Sequence, residues 1–276
     1  MALVLCGLTY AQVMAYLDEC ILLGCDVNDH LENIRAVLSR FREFCVKAMP
    51  PKCVFFQTEA TFLGRIVSRD GVKIDPEKEA AVKEWPVPSN AREVHSFLGF
   101  MNYHREHVKD YVAKLAILYN LIKPNHPFTW TSEHQHALDT LKNSVINAPV
   151  LAYPDQNFIL DTDASDLQIG TELSQCQNGA LRIICHGSFT LTPAQRRYCT
   201  TRKQLLAIVR FTREYRHYLL GKRFLLRTDH SSLTWLTRFK NPVGQVARRL
   251  EELGQFGIQI VHRPSTQHGG PDGLSR

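Results

Sequence analysis

The stretch FILDTDASDLQIG, residues 158–170, sets three aspartates, Asp161, Asp163 and Asp166, among residues suited to a core. In a strand, side chains two apart leave the same face, so Asp161 and Asp163 share a surface with Ile159 beside them. Carboxylates held that close either raise a pKa or attract a cation, and oxygen ligands of this kind suit Mg²⁺. Asp229 ends a second predicted strand and Asp272 lies in the polar tail, so acids from three separate segments could converge. On spacing alone, solvated acids at strand ends are the plain alternative.

The elements that must position these acids read as follows. Beyond Pro154, NFILDTDAS, IGTELSQ and RIICHGSFTL predict three successive strands of a meander. Thr192, Pro193 and Gln195 supply a cap, a first-turn proline and a capping-box partner, and Thr201 with Gln204 repeats that spacing at the head of a helix predicted over 201–219. RFLLRTDHSSLTWL reads as a strand and then a helix, and FGIQIVHR as a last strand. Upstream, residues 13–24 predict a hairpin with an acidic turn at Asp18 and Glu19. A helix from Asn28 is signalled by Asp29 and Glu32 in capping-box spacing and by Leu31, Ile34, Leu38, Phe41 and Cys45. KCVFFQ and TFLGRIVS are β-like, and a third run follows the hairpin dipeptide Asp70-Gly71. Asp75 caps a helix with Pro76 at its first position. Two more helices pack through Val94, Leu98, Tyr111, Leu115 and Leu118, and another runs from near Thr131 to before Pro149.

Composition bounds what such a chain can be. With 276 residues, 44% hydrophobic and 22% charged, it buries a sizeable core and has room for more than one unit. Its eight cysteines show no C-x-x-C pair, which reads as reduced thiols in an intracellular protein, cytoplasmic or nuclear, rather than a disulfide or zinc framework. The apolar opening lacks a basic leader and runs into Asp18 and Glu19, so it reads neither as a signal peptide nor as a membrane span. The net charge of +6 is divided unevenly: residues 1–194 hold 17 Lys and Arg against 22 Asp and Glu, and residues 195–276 hold 16 against 5. That basic end points to a polyanionic partner, with a solvated helix face as the alternative.

Several blocks together resemble the C-terminal part of a gypsy-type retroelement Pol polyprotein, reverse transcriptase from the palm onward followed by ribonuclease H. YLDE at residues 16–19 resembles the family's Y-x-D-D hairpin, and TFLGRIVSRDGVKIDPEKEAAVKEWPVPSN its primer grip and thumb entry. SFLGFMNYHREHV and FTWTSEHQHALDTLKNSVINAPVLAYPD follow in order, then DTDASD, YCTTRKQLLAIV, RTDHSSLTWL and HRPSTQHGGPDGLSR as blocks of ribonuclease H. The resemblance implies an α/β chain: an α+β palm remnant over 1–74, a thumb-like helical region over 75–126, a connecting segment over 127–156, and a ribonuclease H-like mixed sheet with flanking helices over 157–276. It also implies RNA-directed DNA synthesis and, through two Mg²⁺ or Mn²⁺ ions, hydrolysis of the RNA strand of an RNA/DNA hybrid. Other parts of such a polyprotein are implied partners; a membrane is not. Carried over by position, Asp163, Asp229 and Asp272 are metal ligands, Asp161 and Asp166 ordinary exposed acids, and His268 an aid to proton transfer or product release unless it is a plain tail histidine. The basic residues Arg202, Lys203, Arg210, Arg213 and Arg216 form the expected nucleic-acid surface.

The chain also departs from the family pattern. Where a block like TTEKELLA places a metal-binding glutamate, it has TTRKQLLA, with Gln204 at the acid's position and Arg202 at another commonly acidic one. An amide keeps an oxygen but removes a charge worth about 4 kcal/mol per unit of cation charge at 4 Å, at an effective dielectric near 20. Ribonuclease H activity is therefore expected to be impaired, while Gln204 serves a capping box as well as Glu does. Asp161, about 7 Å along the strand, is not expected to compensate. At the hairpin, Glu19 replaces an aspartate and Asp18 has no acid upstream, so polymerase activity by this chain alone is expected to be lost. A non-catalytic nucleic-acid-binding module, or a domesticated or decayed remnant, is the alternative.

Overall fold

The computed structural model describes residues 1, 3–124, 126–228 and 244–262. Asp229, His268 and Asp272, and the helix predicted after Asp229, lie outside the described residues. The chain divides into two compact units, Met1–Asp75 and Pro76–Arg276.

In the first unit, β1 (Val13–Tyr16) and β2 (Glu19–Leu22) form the expected hairpin, with Tyr16 opposite Glu19 and Leu17-Asp18 as its turn. Helix α1 (Val27–Glu43) starts earlier than its spacing suggested. Asp26 is the cap, accepting from the Asp29 N–H at 2.9 Å, while the Asp29 carboxylate accepts from the Cys25 N–H at 2.7 Å. This reciprocal pair satisfies the Asp29 N–H, one of the first turn's free donors, and ties Cys25 to the helix start. Strands β3 (Glu59–Phe62), β4 (Arg65–Ser68) and β5 (Gly71–Ile74) form an antiparallel sheet in that order. TFLGRIVS is thus two strands, folded at Leu63-Gly64, both at positive φ (50° and 65°) as a tight hairpin of this hand needs. KCVFFQ forms no strand. Its apolar residues Val54, Phe55 and Phe56 are exposed, and Phe56 turns the backbone to φ 56°, which ends an extended run. Leu5, Val13 and Val37 make this unit's buried cluster.

The second unit opens with α2 (Pro76–Lys83), α3 (Ala91–Tyr103), α4 (Tyr111–Asn120) and α5 (Ser132–Ile146). Asn90 caps α3 by accepting from the Glu93 N–H, and Thr131 and His134 form a capping box on α5. Val94, Leu98, Tyr111, Leu115 and Leu118 are all buried, as their spacing predicted. The meander follows as β6 (Phe158–Ala164), β7 (Gln168–Gln177) and β8 (Ala180–Thr190). A short α6 (Pro193–Arg196) carries the Thr192/Gln195 capping box. The long predicted helix breaks at Tyr215 into α7 (Thr200–Glu214) and α8 (Arg216–Leu219). Then come β9 (Arg223–Thr228), α9 (Gly244–Leu253), which the sequence reading did not place, and β10 (Gly257–His262).

The sheet order is β10-β9-β6-β7-β8, with β6 antiparallel to β7 and parallel to β9, and β10 parallel to β9. Alternation splits its residues between two faces. Leu160, Ile169, Leu173 and Leu226 pack with Leu205, Ile208 and Phe211 of α7, and Leu250 and Leu253 of α9 join them. Gly187 is needed there, because a Cβ would lie 2.4 Å from the Tyr215 hydroxyl and 3.0 Å from the Phe211 ring. The opposite face is polar although buried. Across it, His186, Glu172, Asp161 and Arg227 stand in register on β8, β7, β6 and β9. The N-terminus of α4 is tied to the same sheet, the Val112 N–H donating to Ser188 Oγ at 3.2 Å.

Candidate functional site

Asp163 sits near the end of the central strand, buried, on the polar face. Its Oδ1 accepts the Ala164 N–H at 2.7 Å and is approached by the Gln204 amide, Nε2 at 3.3 Å. Gln204 is only 2% exposed and comes from α7, whose first residue is Thr200 and whose cap, Cys199, makes no side-chain bond. The Thr201/Gln204 pair is therefore no capping box. Gln204 lies in the second turn, past the position a capping-box partner occupies, and its amide reaches Asp163 instead.

Of the two neighbouring acids expected to be exposed, Asp161 departs from that expectation and Asp166 meets it. Asp161, expected to be exposed, is 2% exposed and ion-paired with Arg227 Nη2. Asp166 is exposed, its side chain at 94%, but Lys203 Nζ lies 2.5 Å from its Oδ1, and that ammonium holds the carboxyl below the usual range. Each acid of the opening stretch thus meets a donor from elsewhere in the chain: Arg227, Gln204 and Lys203.

Two further titratable groups on this side were missed in the sequence because nothing local marks them. Asp110, at φ 60° before α4, has its carboxyl pushed up to about 6, chiefly by burial. Lys109 and Lys114 oppose that rise and the charge on Asp163 adds to it. His186 is driven down to about 4 by burial and by the cations Lys109, His107 and Lys114. At neutral pH its imidazole is uncharged, so its 3.8 Å approach to Glu172 is not an ion pair.

Of the basic residues, Lys203 is 4% exposed and committed to Asp166. Arg202 stacks over the Tyr198 ring at 4.4 Å and Arg210 over Phe189 at 4.5 Å. Arg213 forms a two-pronged bond with Glu252 of α9, and Arg216 Nη1 donates to Gln255 Oε1 at 3.2 Å. Arg210, Arg213 and Arg216 remain exposed along one side of α7 and α8. Arg249 of α9 joins this cluster; burial first, and then the charges of Arg202 and Arg213, hold its guanidinium below its usual value, with Tyr198 opposing. In the first unit Asp18 is exposed at the hairpin tip, and the Glu19 carboxylate accepts the Leu63 N–H at 2.9 Å.

Among the described residues no group of three or more His, Cys, Asp and Glu side chains could hold a metal. Among the described residues the donor set around Asp163 is that one carboxylate with an amide N–H turned toward it, and that does not by itself fit a divalent cation.

Residues 153–256 match the family described as the RNase H-like domain found in reverse transcriptase. That match assigns these residues, about two fifths of the chain, to an RNase H-like domain of the kind found in reverse transcriptase. The chain's relatives are retrotransposon Pol polyproteins. Over 278 residues, 100% of this chain, it is 33% identical to the retrovirus-related Pol polyprotein from transposon 412 of Drosophila melanogaster, covering 22% of that protein. It is 35% identical over 266 residues to the corresponding polyprotein from transposon 297, and 31% over 276 residues to that from transposon gypsy of the same fly, covering 25% and 26% of them. The chain therefore spans about a quarter of these relatives' length. The fold is also that of the foamy viral protease-reverse transcriptase dRH in complex with double-stranded DNA, at a TM-score of 0.82 and 19% identity over 95% of this chain and 47% of that one. The same viral protein in complex with an RNA/DNA hybrid matches at a TM-score of 0.78 and 19% identity, over 95% of this chain and 36% of that one. β6 through α9 fall inside the ribonuclease H-like match, and β10 follows it.

Among the described residues no helix is long and apolar enough to cross a membrane.

Proposed function

We propose that this chain is the reverse transcriptase–ribonuclease H part of a retrotransposon Pol polyprotein whose ribonuclease H-like domain holds an RNA/DNA hybrid and cleaves its RNA strand poorly. Palm remnant, thumb-like helices and connecting segment would occupy residues 1–74, 75–126 and 127–156, and the ribonuclease domain 157–276. Asp163, Asp229 and Asp272 would be the carboxylates for Mg²⁺ or Mn²⁺, whose chemistry is to activate water and stabilise the leaving oxygen. The observation that carries the attenuation is the Gln204 amide on Asp163. It brings a neutral donor to the ligand where a carboxylate would add negative charge, so cation affinity falls twice over. Arg210, Arg213 and Arg216, exposed on the most basic part of the chain, support hybrid binding.

The test is cleavage of the RNA strand of an RNA/DNA hybrid by the whole chain in Mg²⁺ and in Mn²⁺, with Gln204→Glu and Asp163→Asn beside it. Gln204→Glu is expected to raise the rate at least ~10-fold, in line with one restored charge near the cation, and Asp163→Asn to remove what activity there is. Wild type cutting as fast as Gln204→Glu would sink the attenuation. If no form cuts but the hybrid is bound, the second reading, a non-catalytic binding module, takes its place, again favoured by Gln204.

A further inference from the structure

Positive charge gathers where α7 begins. Tyr198 precedes the first helical residue, Thr200, and its ring centroid lies 4.4 Å from Arg202 Cζ and 5.9 Å from Arg249 Cζ. Arg202 belongs to the first turn of α7, and Arg249 reaches in from α9. The α7 cap, Cys199, makes no side-chain bond, so the positive end of the helix adds to the two guanidiniums. Arg249 is 8% exposed, and although it bonds to the Tyr198 side chain, its Nη1 has no hydrogen-bond partner among the described residues. Glu252, one turn along α9, gives both carboxylate oxygens to Arg213. Cations gathered in this way repel one another, and arginine does not relieve the repulsion by giving up its proton. A buried charge with an unmet donor is costly besides. An anion answers both.

We propose that Tyr198, Arg202 and Arg249 form a binding site for one phosphate group, with the buried Arg249 guanidinium at its inner side and the half-buried Tyr198 and Arg202 toward solvent. Guanidinium forks match phosphate oxygens two at a time, and a phenol hydroxyl can donate to a third. The site involves none of the sheet's carboxylates and needs no metal. It also differs from the exposed Arg210, Arg213 and Arg216: those attract a polyanion at large, whereas a fixed, buried guanidinium sets where one phosphate sits. Where the phosphate is a backbone phosphate of the hybrid, the assignment rests on the hybrid-binding reading above; where it is a free ion, it does not.

The experiment compares thermal melting of the whole chain in potassium phosphate and in potassium chloride of equal ionic strength. Phosphate is expected to raise the melting temperature of wild type by ~3 °C at ten times its dissociation constant. Arg249→Met should lose that increment, and Arg216→Met, which alters a guanidinium bonded to Gln255 at the far end of the helix pair, should keep it. No phosphate-specific rise in wild type, or the same rise in a folded Arg249→Met, would overturn the proposal, as would equal loss in Arg216→Met, the mark of diffuse attraction. Should Arg249→Met not fold, Arg202→Met takes its place under the same expectation. Filter binding of an RNA/DNA hybrid from roughly 50 to 200 mM salt separates the sources. A salt slope shallower by about 1 in Arg249→Met assigns the site to a backbone phosphate, and an unchanged slope assigns it to the free ion. If wild type binds no hybrid, the function proposed above fails while the phosphate increment still decides this site.

Discussion

Removing the Lys203 ammonium should free Asp166: in Lys203→Met its carboxyl is expected to titrate higher than in wild type, read by carbon-detected NMR of the side chain. The depressed value means that this pair's stabilisation is present above the unfolded pKa and lost as pH falls through the folded one. A second pair of groups works in opposite directions. His186 takes a proton near 6.5 when unfolded and near 4 when folded, so acidification across that window costs stability. Asp110 takes its proton near 3.8 unfolded and about 6 folded, so the same acidification adds stability. The two offset in wild type. Asp110→Asn is expected to lose melting temperature more steeply than wild type from pH 6.5 to 4, and His186→Gln less steeply; parallel curves would refute both assignments. None of this was readable in the sequence. Asp161 looked like a solvated acid because its partner lies 66 positions away, and Gln204 looked like a cap because a local spacing rule fits it without regard to which way the helix faces.

At the level of elements, the seat of α7 on the sheet depends on the bare backbone at Gly187. Gly187→Ala would drive a methyl into Tyr215, Thr171 and Phe211, and is expected to destabilise by about 1–3 kcal/mol, measured by urea unfolding, as overpacking of a tight core does. The elements themselves were largely legible. The meander, the cap at Thr192, the helix start near Thr131 and the apolar spacing of α3 and α4 all follow from local chemistry that the final fold respects. α9 was missed although Val246, Leu250 and Leu253 carry a helical stripe, because a polar, arginine-rich run without a cap residue reads as loop. KCVFFQ failed the other way: β-favouring side chains do not make a strand at a position where the backbone turns left-handed.

For the molecule as a whole, the two units are unequal. Leu5, Val13 and Val37 form the buried cluster of Met1–Asp75, whereas a much longer roll of apolar residues from β6 to β10 closes around α7 in the other. Small cores leave a unit marginal. Hydrogen exchange is expected to show amides of β1 and β2 opening well before those of β6, β7 and α7; equal protection would count against two units of different stability. The charge division belongs to this scale too. Hybrid affinity should fall steeply between 50 and 200 mM salt, because the C-terminal 82 residues hold 16 cations against 5 anions. A shallow salt slope in a filter-binding assay would argue that those arginines are spent on Glu252, Gln255 and the aromatic rings.

The order of strands in the larger sheet also sets an order in time. β6, β7 and β8 are joined by short turns and can zip together early, whereas β9 reaches β6 only after the intervening helices are laid down. The Arg227–Asp161 contact is then expected to form late in folding and to break early in unfolding. Substitutions at Arg227 are expected to leave the refolding rate nearly unchanged and to quicken unfolding, giving a φ-value near zero in stopped-flow chevrons. A nascent chain emerging in sequence would therefore hold its central acids without their counter-charge until the segment carrying β9 had left the ribosome.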